Sequence, residues 1–379
     1  MPLRNALKGI RVLDLTSNLP GPFATQILGD MGAEVIKVEN LNGDQTRHYP
    51  PFIESESMVF SLLNRNKRSI SLDLKSKKGR EIFYRLATTA DVVIEGFRPG
   101  TADRLQIGYN SIRQIQPKII YCSLTGYGPN DTRAGHDLNY LAMSGVLHIT
   151  GPRERPIPPG VQIGDIGGGA LPAVISILAA LYQRKDESQY IHVSMTDHLI
   201  SWLSIVAATY LVGLGEPERE DHFLSGFQPY YRIFRTEDNQ FLSFAPLEFK
   251  FWKNFCEAIS QPELTEKQFD TDYLNSILPS IFGQRPLGEW MELFEKYDVP
   301  GAPILTVKEA LSARSAVSPI NHPSLGKIPL IKSPYIKDDV IVSPPPRLGE
   351  DTRSILEEIG YSQDDVQIFE KRGICRLIS

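Results

Sequence analysis

Over the first third of the chain, apolar and polar positions alternate between short β-branched runs and longer stretches with helical spacing. "IRVLDL" (10–15) is an apolar run of the first kind. "PGPFATQILGDMGA" (20–33) repeats apolar residues at three- and four-residue intervals, with proline near its start and glycine near its end, and "EVIKVE" (34–39) returns to a strand pattern. Together they predict a βαβ unit with parallel strands and a right-handed crossover. The alternation continues through "SISLDL" (69–74), the amphipathic "KKGREIFYRLATTA" (77–90), "DVVIEGF" (91–97) and "KIIYCSLTG" (118–126). Repeated βα units predict an α/β fold built on a doubly wound parallel, Rossmann-like sheet. Such sheets bind ligands outside the carboxyl ends of their strands.

Near residue 220 the texture changes. "PYYRIFRTEDNQFLSFAPLE" (229–248) reads as two aromatic-rich strands around a polar "TEDN" turn, followed by helical "FKFWKNFCEAIS" (249–260). The expected organisation is a large domain over 1–220, a smaller α+β domain over 225–320, and a C-terminal segment, 325–379, that returns to the large domain. In that last segment "SPYIKDDVIVSPPPRLGEDTRSILEEIGY" is a proline-punctuated connection into a short charged helix. No internal repeat or low-complexity segment interrupts the pattern.

Composition narrows the functional classes. With 379 residues, 41% hydrophobic and 22% charged, the chain is of globular composition and long enough for two domains. Its formal net charge of -5 supplies no overall basic field for nucleic acid or an anionic membrane. No run reaches the ~18 uninterrupted apolar residues of a membrane helix, the N-terminus lacks a signal-peptide pattern, and the terminal "RLIS" is not an SKL-type address. The expectation is a soluble cytoplasmic protein with neither nucleic-acid nor membrane partners. Cys122, Cys256 and Cys375 are far apart and without CxxC spacing, so neither a disulfide framework nor a metal site is expected.

Candidate chemistry lies in three places. The first βα turn, "TSNLPGPFATQ", lacks the glycine spacing that lets a backbone approach a pyrophosphate, although Glu39 ends the second strand where a ribose-binding acid would sit. The loop "LNRNKRS" carries Arg65, Lys67 and Arg68 before a strand, and Arg98 stands in "GFRPG" at the end of another. Cations there suit a multiply phosphorylated ligand, while base rates alone favour a solvated charged loop. The third place is "AGHDLNYLAMSGVLHITGPRERPIPPGVQIGDIGGGA" (134–170), which predicts two helices joined by a proline-bearing loop. Asp137 is expected as the N-cap of the first, with His136 just before it. Asp165 opens the second, where free N–H groups of residues 165–167 (Asp165, Ile166, Gly167) can receive an oxyanion. Alone, His136 reads as a structural histidine and Asp165 as a helix cap. As a pair they are two different proton carriers at adjacent helix starts, as abstraction and return of a proton require.

These residues carry a resemblance. Over nearly its whole length the chain resembles CoA-transferase family III, the CaiB/BaiF family, through "LKGIRVLDLTSNLPGPFATQILGDMGAEVIKVE", "NRNKRSISLDLKS", "ADVVIEGFRPG", "IIYCSLTGYG" and "SPPPRLGEDTRSILEEIGY". Within the family it is most similar to the α-methylacyl-CoA racemase branch. The resemblance implies that Asp165 takes the place of an aspartate which transferases use as a nucleophile and racemases as an acid/base. His136 in "GHDLNY" then stands for the racemase histidine and Glu248 in "FAPLEFKFW" for the small-domain glutamate. The glycine-rich loop with which many of the transferases shield their intermediate is missing near "SFAPLEF".

The resemblance further implies coenzyme A as part of the substrate and no metal or redox cofactor. Arg65, Lys67, Arg68 and Arg98 would lie near the CoA phosphates or adenine. Lys37 would stand where the racemases have an arginine, keeping the charge and losing the planar fork. An interlocked homodimer is implied as well. The expected activity is therefore inversion at the α-carbon of a 2-methylacyl-CoA thioester. Transfer of CoA between carboxylic acids through a covalent intermediate on Asp165 is the alternative, and a non-catalytic acyl-CoA-binding protein is the third reading.

Overall fold

The computed structural model describes residues 3, 5–183, 185–335 and 342–378. Residue 184 at the end of the second predicted helix, residues 336–341 of the proline-punctuated connection and residue 379 of "RLIS" lie outside the described residues. The chain divides into two compact units: Met1–Ser144, Pro159–Trp202 and Ala316–Ser379 form one, Gly145–Pro158 and Leu203–Ser315 the other. The smaller unit thus begins nearer 203 than 220 and takes in the loop 145–158. Arg219 ties that loop to its own unit by donating to the carbonyls of His148, Pro152 and Arg153, a link between distant segments that a local pattern does not display.

In the larger unit six parallel strands, β1 (Arg11–Leu15), β2 (Glu34–Glu39), β3 (Lys67–Leu72), β4 (Val92–Glu95), β5 (Ile120–Thr125) and β6 (Gln189–Ser194), lie in the order β3-β2-β1-β4-β5-β6. The short strand Cys375–Arg376 adds to β3 in antiparallel sense. Helices α1 (Pro20–Asp30), α2 (Lys77–Ala87), α3 (Asp137–Met143), α4 (Leu171–Gln183) and α5 (Met195–Ser201) belong to the same unit. Because side chains alternate along a strand, the two sheet faces build separate cores. Leu13, Ile36 and Ile70 pack with Phe83 and Leu86 of α2, while Val12, Val35 and Ile94 pack with Leu28 of α1 and Ile177 of α4. Burying each such side chain contributes on the order of 1.5–3 kcal/mol.

The sequence "GDIGGGA" forms a π-helical run, Gly164–Ala170, that continues into α4. Its glycines are there for close approach. A Cβ on Gly167 would fall 2.1 Å from the Trp202 ring, and one on Gly168 would fall 2.7 Å from the Met195 carbonyl oxygen. By length and composition Gly164–Gln183 is the one described helix able to cross a bilayer. Its Ala173, Val174 and Ile177 are buried in the core beneath the sheet.

In the smaller unit the "TEDN" turn joins β7 (Arg232–Arg235) to β8 (Phe241–Phe244) as an antiparallel hairpin, and β9 (Gly301–Pro303) pairs with β8. Helix α6 (Phe249–Ala258) follows at the predicted place. An aromatic core of Phe234, Phe244, Trp252, Phe255 and Phe282 holds the unit together. All three cysteines are buried and unpaired.

Candidate active site

Strand order reverses between β2 and β4 on either side of β1, and loops leaving the carboxyl ends of β1 and β4 part at that point. A cleft of about 340 Å³ opens there. Residues 16–18 after β1, 96–99 after β4 and 125–126 at the end of β5 line it, and His136, Tyr140 and Asp165 complete it. The position expected of a ligand in an open α/β sheet is therefore where His136 and Asp165 share a cleft.

The "GHDLNY" stretch builds one wall. The helix starts at Asp137, so the N-cap is His136 in extended conformation (φ -132°, ψ 174°), with its side chain exposed. This corrects the expectation that Asp137 is the cap. The remaining polar residues of the motif hold the backbone around the histidine. Asn139 Oδ1 accepts the His136 N–H at 3.0 Å, and the Tyr140 hydroxyl donates to the Gly135 carbonyl at 2.6 Å. Asp137 turns its carboxylate the other way and accepts the Asp165 N–H at 2.9 Å, bridging the segments that carry His136 and Asp165.

Asp165 is half-buried, and burial first, then the negative charge of Asp137, raise its carboxyl pKa to about 7. An acid that titrates near neutrality can both take and return a proton. The Tyr140 hydroxyl is pushed up to about 12 by burial and by Asp165, so it stays protonated as a donor. Asp137→Asn keeps an acceptor for the Asp165 N–H and removes the like charge. The expected result is a lower Asp165 pKa, read by NMR titration of its carboxyl carbon; an unchanged or higher value contradicts this coupling.

Most of the other groups expected to contact a ligand have partners within the protein. Of the proposed oxyanion donors, the Asp165 N–H is held by Asp137 and the Ile166 N–H by the Gln162 carbonyl at 3.0 Å, so neither is free. Of the basic residues expected at CoA, only Arg98 lines the cleft; its side chain is exposed and makes no hydrogen bond or ion pair among the described residues.

The other four basic residues are held by their own fold. Lys37 is fully buried, bonded to Asp44 at 2.8 Å and the Thr16 carbonyl at 2.9 Å. Lys67, also buried, reaches Asp14 (3.1 Å), the Pro22 carbonyl (2.9 Å) and Asn64 (2.8 Å). Arg65 forks onto Asp30 at 3.0 and 2.7 Å. Arg68 pairs with Glu34 and Glu358. Their charges are satisfied within the protein by these partners.

Glu248 lies in the smaller unit at the N-cap of α6, exposed, with no carboxylate partner among the described residues. No group of three or more His, Cys, Asp or Glu is placed to hold a metal among those residues. Two positions that sequence reasoning passed over now matter: Tyr140, visible as the last letter of "GHDLNY", and the bridging role of Asp137, for which nothing local gave a signal.

The sequence profile of CoA-transferase family III matches residues 7–352. Succinyl-CoA:glutarate CoA-transferase of Mus musculus is 38% identical, over 93% of this chain and 86% of its own length. Alpha-methylacyl-CoA racemase of Mus musculus is 32% identical, over 95% of each. Among solved structures, a CaiB/BaiF family protein from Brucella suis superposes with a TM-score of 0.80 at 30% identity, covering 94% of this chain and all (100%) of that one.

Proposed function

The chain belongs to CoA-transferase family III, and on that premise we propose that it inverts the α-carbon of a 2-methylacyl-CoA thioester by proton transfer between His136 and Asp165. The observation that carries the proposal is the convergence of an exposed histidine and a carboxyl group titrating near 7 on one cleft at the carboxyl ends of the strands. A thioester carbonyl delocalises the α-carbanion as an enolate. The reaction therefore needs a base on one face of that carbon and an acid on the other. One residue takes the α-proton as the C–H electron pair moves into the enolate. Its counterpart delivers a proton to the opposite face as the pair returns, and the roles exchange with direction.

The CoA part has room beside this pair. A second cleft of about 250 Å³ shares residues 16, 17 and 97 with the first, and Leu15, Val38, Leu72 and Leu74 give it the apolar walls that suit an adenine ring. Arg98 is the cation available to a phosphate. The family resemblance supports a homodimer and a role for Glu248 in orienting the proton carriers. A monomer by light scattering, with full activity in Glu248→Ala, speaks against both.

A second reading, CoA transfer with Asp165 as nucleophile, is favoured by the 38% identity to a CoA-transferase. One experiment separates the two. Incubated in D₂O with a single enantiomer of a 2-methylacyl-CoA, the protein is expected to load deuterium at the α-carbon and yield both enantiomers, with no acceptor acid present. Lack of exchange across a panel of branched acyl-CoAs, with hydroxylamine trapping at Asp165 when an acceptor is added, would establish the transferase instead.

A further inference from the structure

We propose that Glu95 is a positioning residue for CoA binding: its charged carboxylate anchors the loop 96–99 that presents Phe97 and Arg98 to the clefts. The inference rests on the reading of those clefts as the acyl-CoA site. Glu95 is the last residue of β4 and only 4% exposed. One carboxylate oxygen accepts the Phe97 N–H at 2.7 Å; the other accepts the hydroxyl of Ser123, its register partner on β5, at 2.5 Å. A single side chain thus ties the loop to two strands. The loop is the wall at which the cavities meet. Phe97 lines both the cleft of the proton carriers and the apolar cleft. Arg98 lines the former and also a third cavity of about 340 Å³, into which Glu95 itself faces.

Nothing in the proton-transfer chemistry uses Glu95, yet its surroundings are those of a group that titrates in the working range. From β5 it is faced by Ser123 and Tyr121, from β6 by Tyr190 and His192, and from the segment after the loop by Asp103 and Tyr109. No ion pair joins it to a cation among the described residues. Burial, only partly offset by its two donors and reinforced by Asp103, pushes its pKa up to about 7. Hydrogen bonds to an ionised acceptor are roughly twice as strong as neutral ones, so protonation loosens the anchor of the loop. Affinity for CoA is therefore expected to weaken as pH falls through about 7.

The test is calorimetric titration of the full chain with coenzyme A between pH 6 and 8.5, comparing wild type with Glu95→Gln. Glutamine mimics the protonated acid, so the ratio of dissociation constants, variant over wild type, is expected near unity at pH 6. It should rise to about fivefold above pH 8, the difference between charged and neutral hydrogen bonds. Titration of the CoA phosphate and of Asp165 occurs in both proteins and cancels in the ratio. A merely structural role gives a ratio that is flat with pH, and a flat ratio overturns the proposal.

Ser123→Ala provides a second measurement should the glutamine variant fail to fold. It removes a donor to the charged form, so the midpoint of the affinity curve is expected to move to higher pH; an unmoved midpoint counts against the proposal. Binding is measured without turnover, so loss of the racemase reading leaves the test intact. A wild-type chain that binds no coenzyme A removes the site reading and this inference together. Binding with a flat ratio removes the inference alone.

Discussion

Asp165→Asn is expected to lower the rate of inversion of a 2-methylacyl-CoA by about 10²–10⁴, the usual cost of removing a positioned acid or base. Asparagine fills the same space and leaves the backbone N–H bonded to Asp137, but it can neither take nor give the proton. A two-base site predicts a finer result as well. With Asp165 disabled, His136 still reaches one face of the α-carbon, so slow deuterium uptake survives for one enantiomer, without inversion. His136→Ala is expected to show the reverse preference. Retention of inversion by either variant would remove the pair from the mechanism.

Unfolding does not account for such a loss. The Asp165 pKa is raised on folding, so its titration makes the protein less stable as pH rises between about 4 and 7, and the neutral amide is free of that penalty. Thermal melting at pH 8 should place the Asp165→Asn variant at or above wild type.

How far these roles were legible depends on how local their causes are. The βα alternation is written in apolar spacing, and strands β1, β2, β4 and β5 fall where "IRVLDL", "EVIKVE", "DVVIEGF" and "KIIYCSLTG" place them. β3 starts two residues before "SISLDL" because the backbones of Lys67 and Arg68 pair with Val35 and Ile36, a partner the segment does not specify by itself. His136 and Asp165 stood out as titratable groups at helix starts and through the family resemblance, but their spacing says nothing of proximity until the two segments are bridged by Asp137. The partners of the basic residues were hidden for a related reason. "EVIKVE" and "NRNKRS" show cations beside strands, but β2 lies inside the sheet, between β1 and β3, so Lys37 has no route to solvent and takes Asp44 as partner. Arg98, on a loop after β4, had no such partner to find and remained in the cleft.

That burial makes Asp14 a sensitive position for stability. Asp14→Ala is expected to destabilise the protein by about 3–5 kcal/mol, because it leaves buried charge without its counter-charge. The wild-type carboxylate, fully buried, accepts from Lys67 at 3.1 Å, from the Thr25 hydroxyl at 2.6 Å and from the Thr16 N–H at 2.9 Å. Burial alone would raise its pKa, yet the ammonium groups of Lys37 and Lys67 and the two threonine hydroxyls hold it far below the ordinary carboxylate range.

A folded pKa below the unfolded one stabilises at pH above about 4, and the increment is lost as pH falls further. Wild type should therefore show a steeper acid-side decline in urea midpoint than Asp14→Ala, which keeps only the contribution of the other depressed carboxylates such as Glu34, Glu39 and Asp44. Replacing both partners, Asp14→Leu with Lys67→Met, removes the charges together and is expected to recover much of the loss, since apolar groups of similar size can replace a buried pair at little cost. Urea unfolding of wild type and the two variants at pH 7 and 3.5 checks the set. A single variant within 1 kcal/mol of wild type would mean that Lys67 is not held by Asp14.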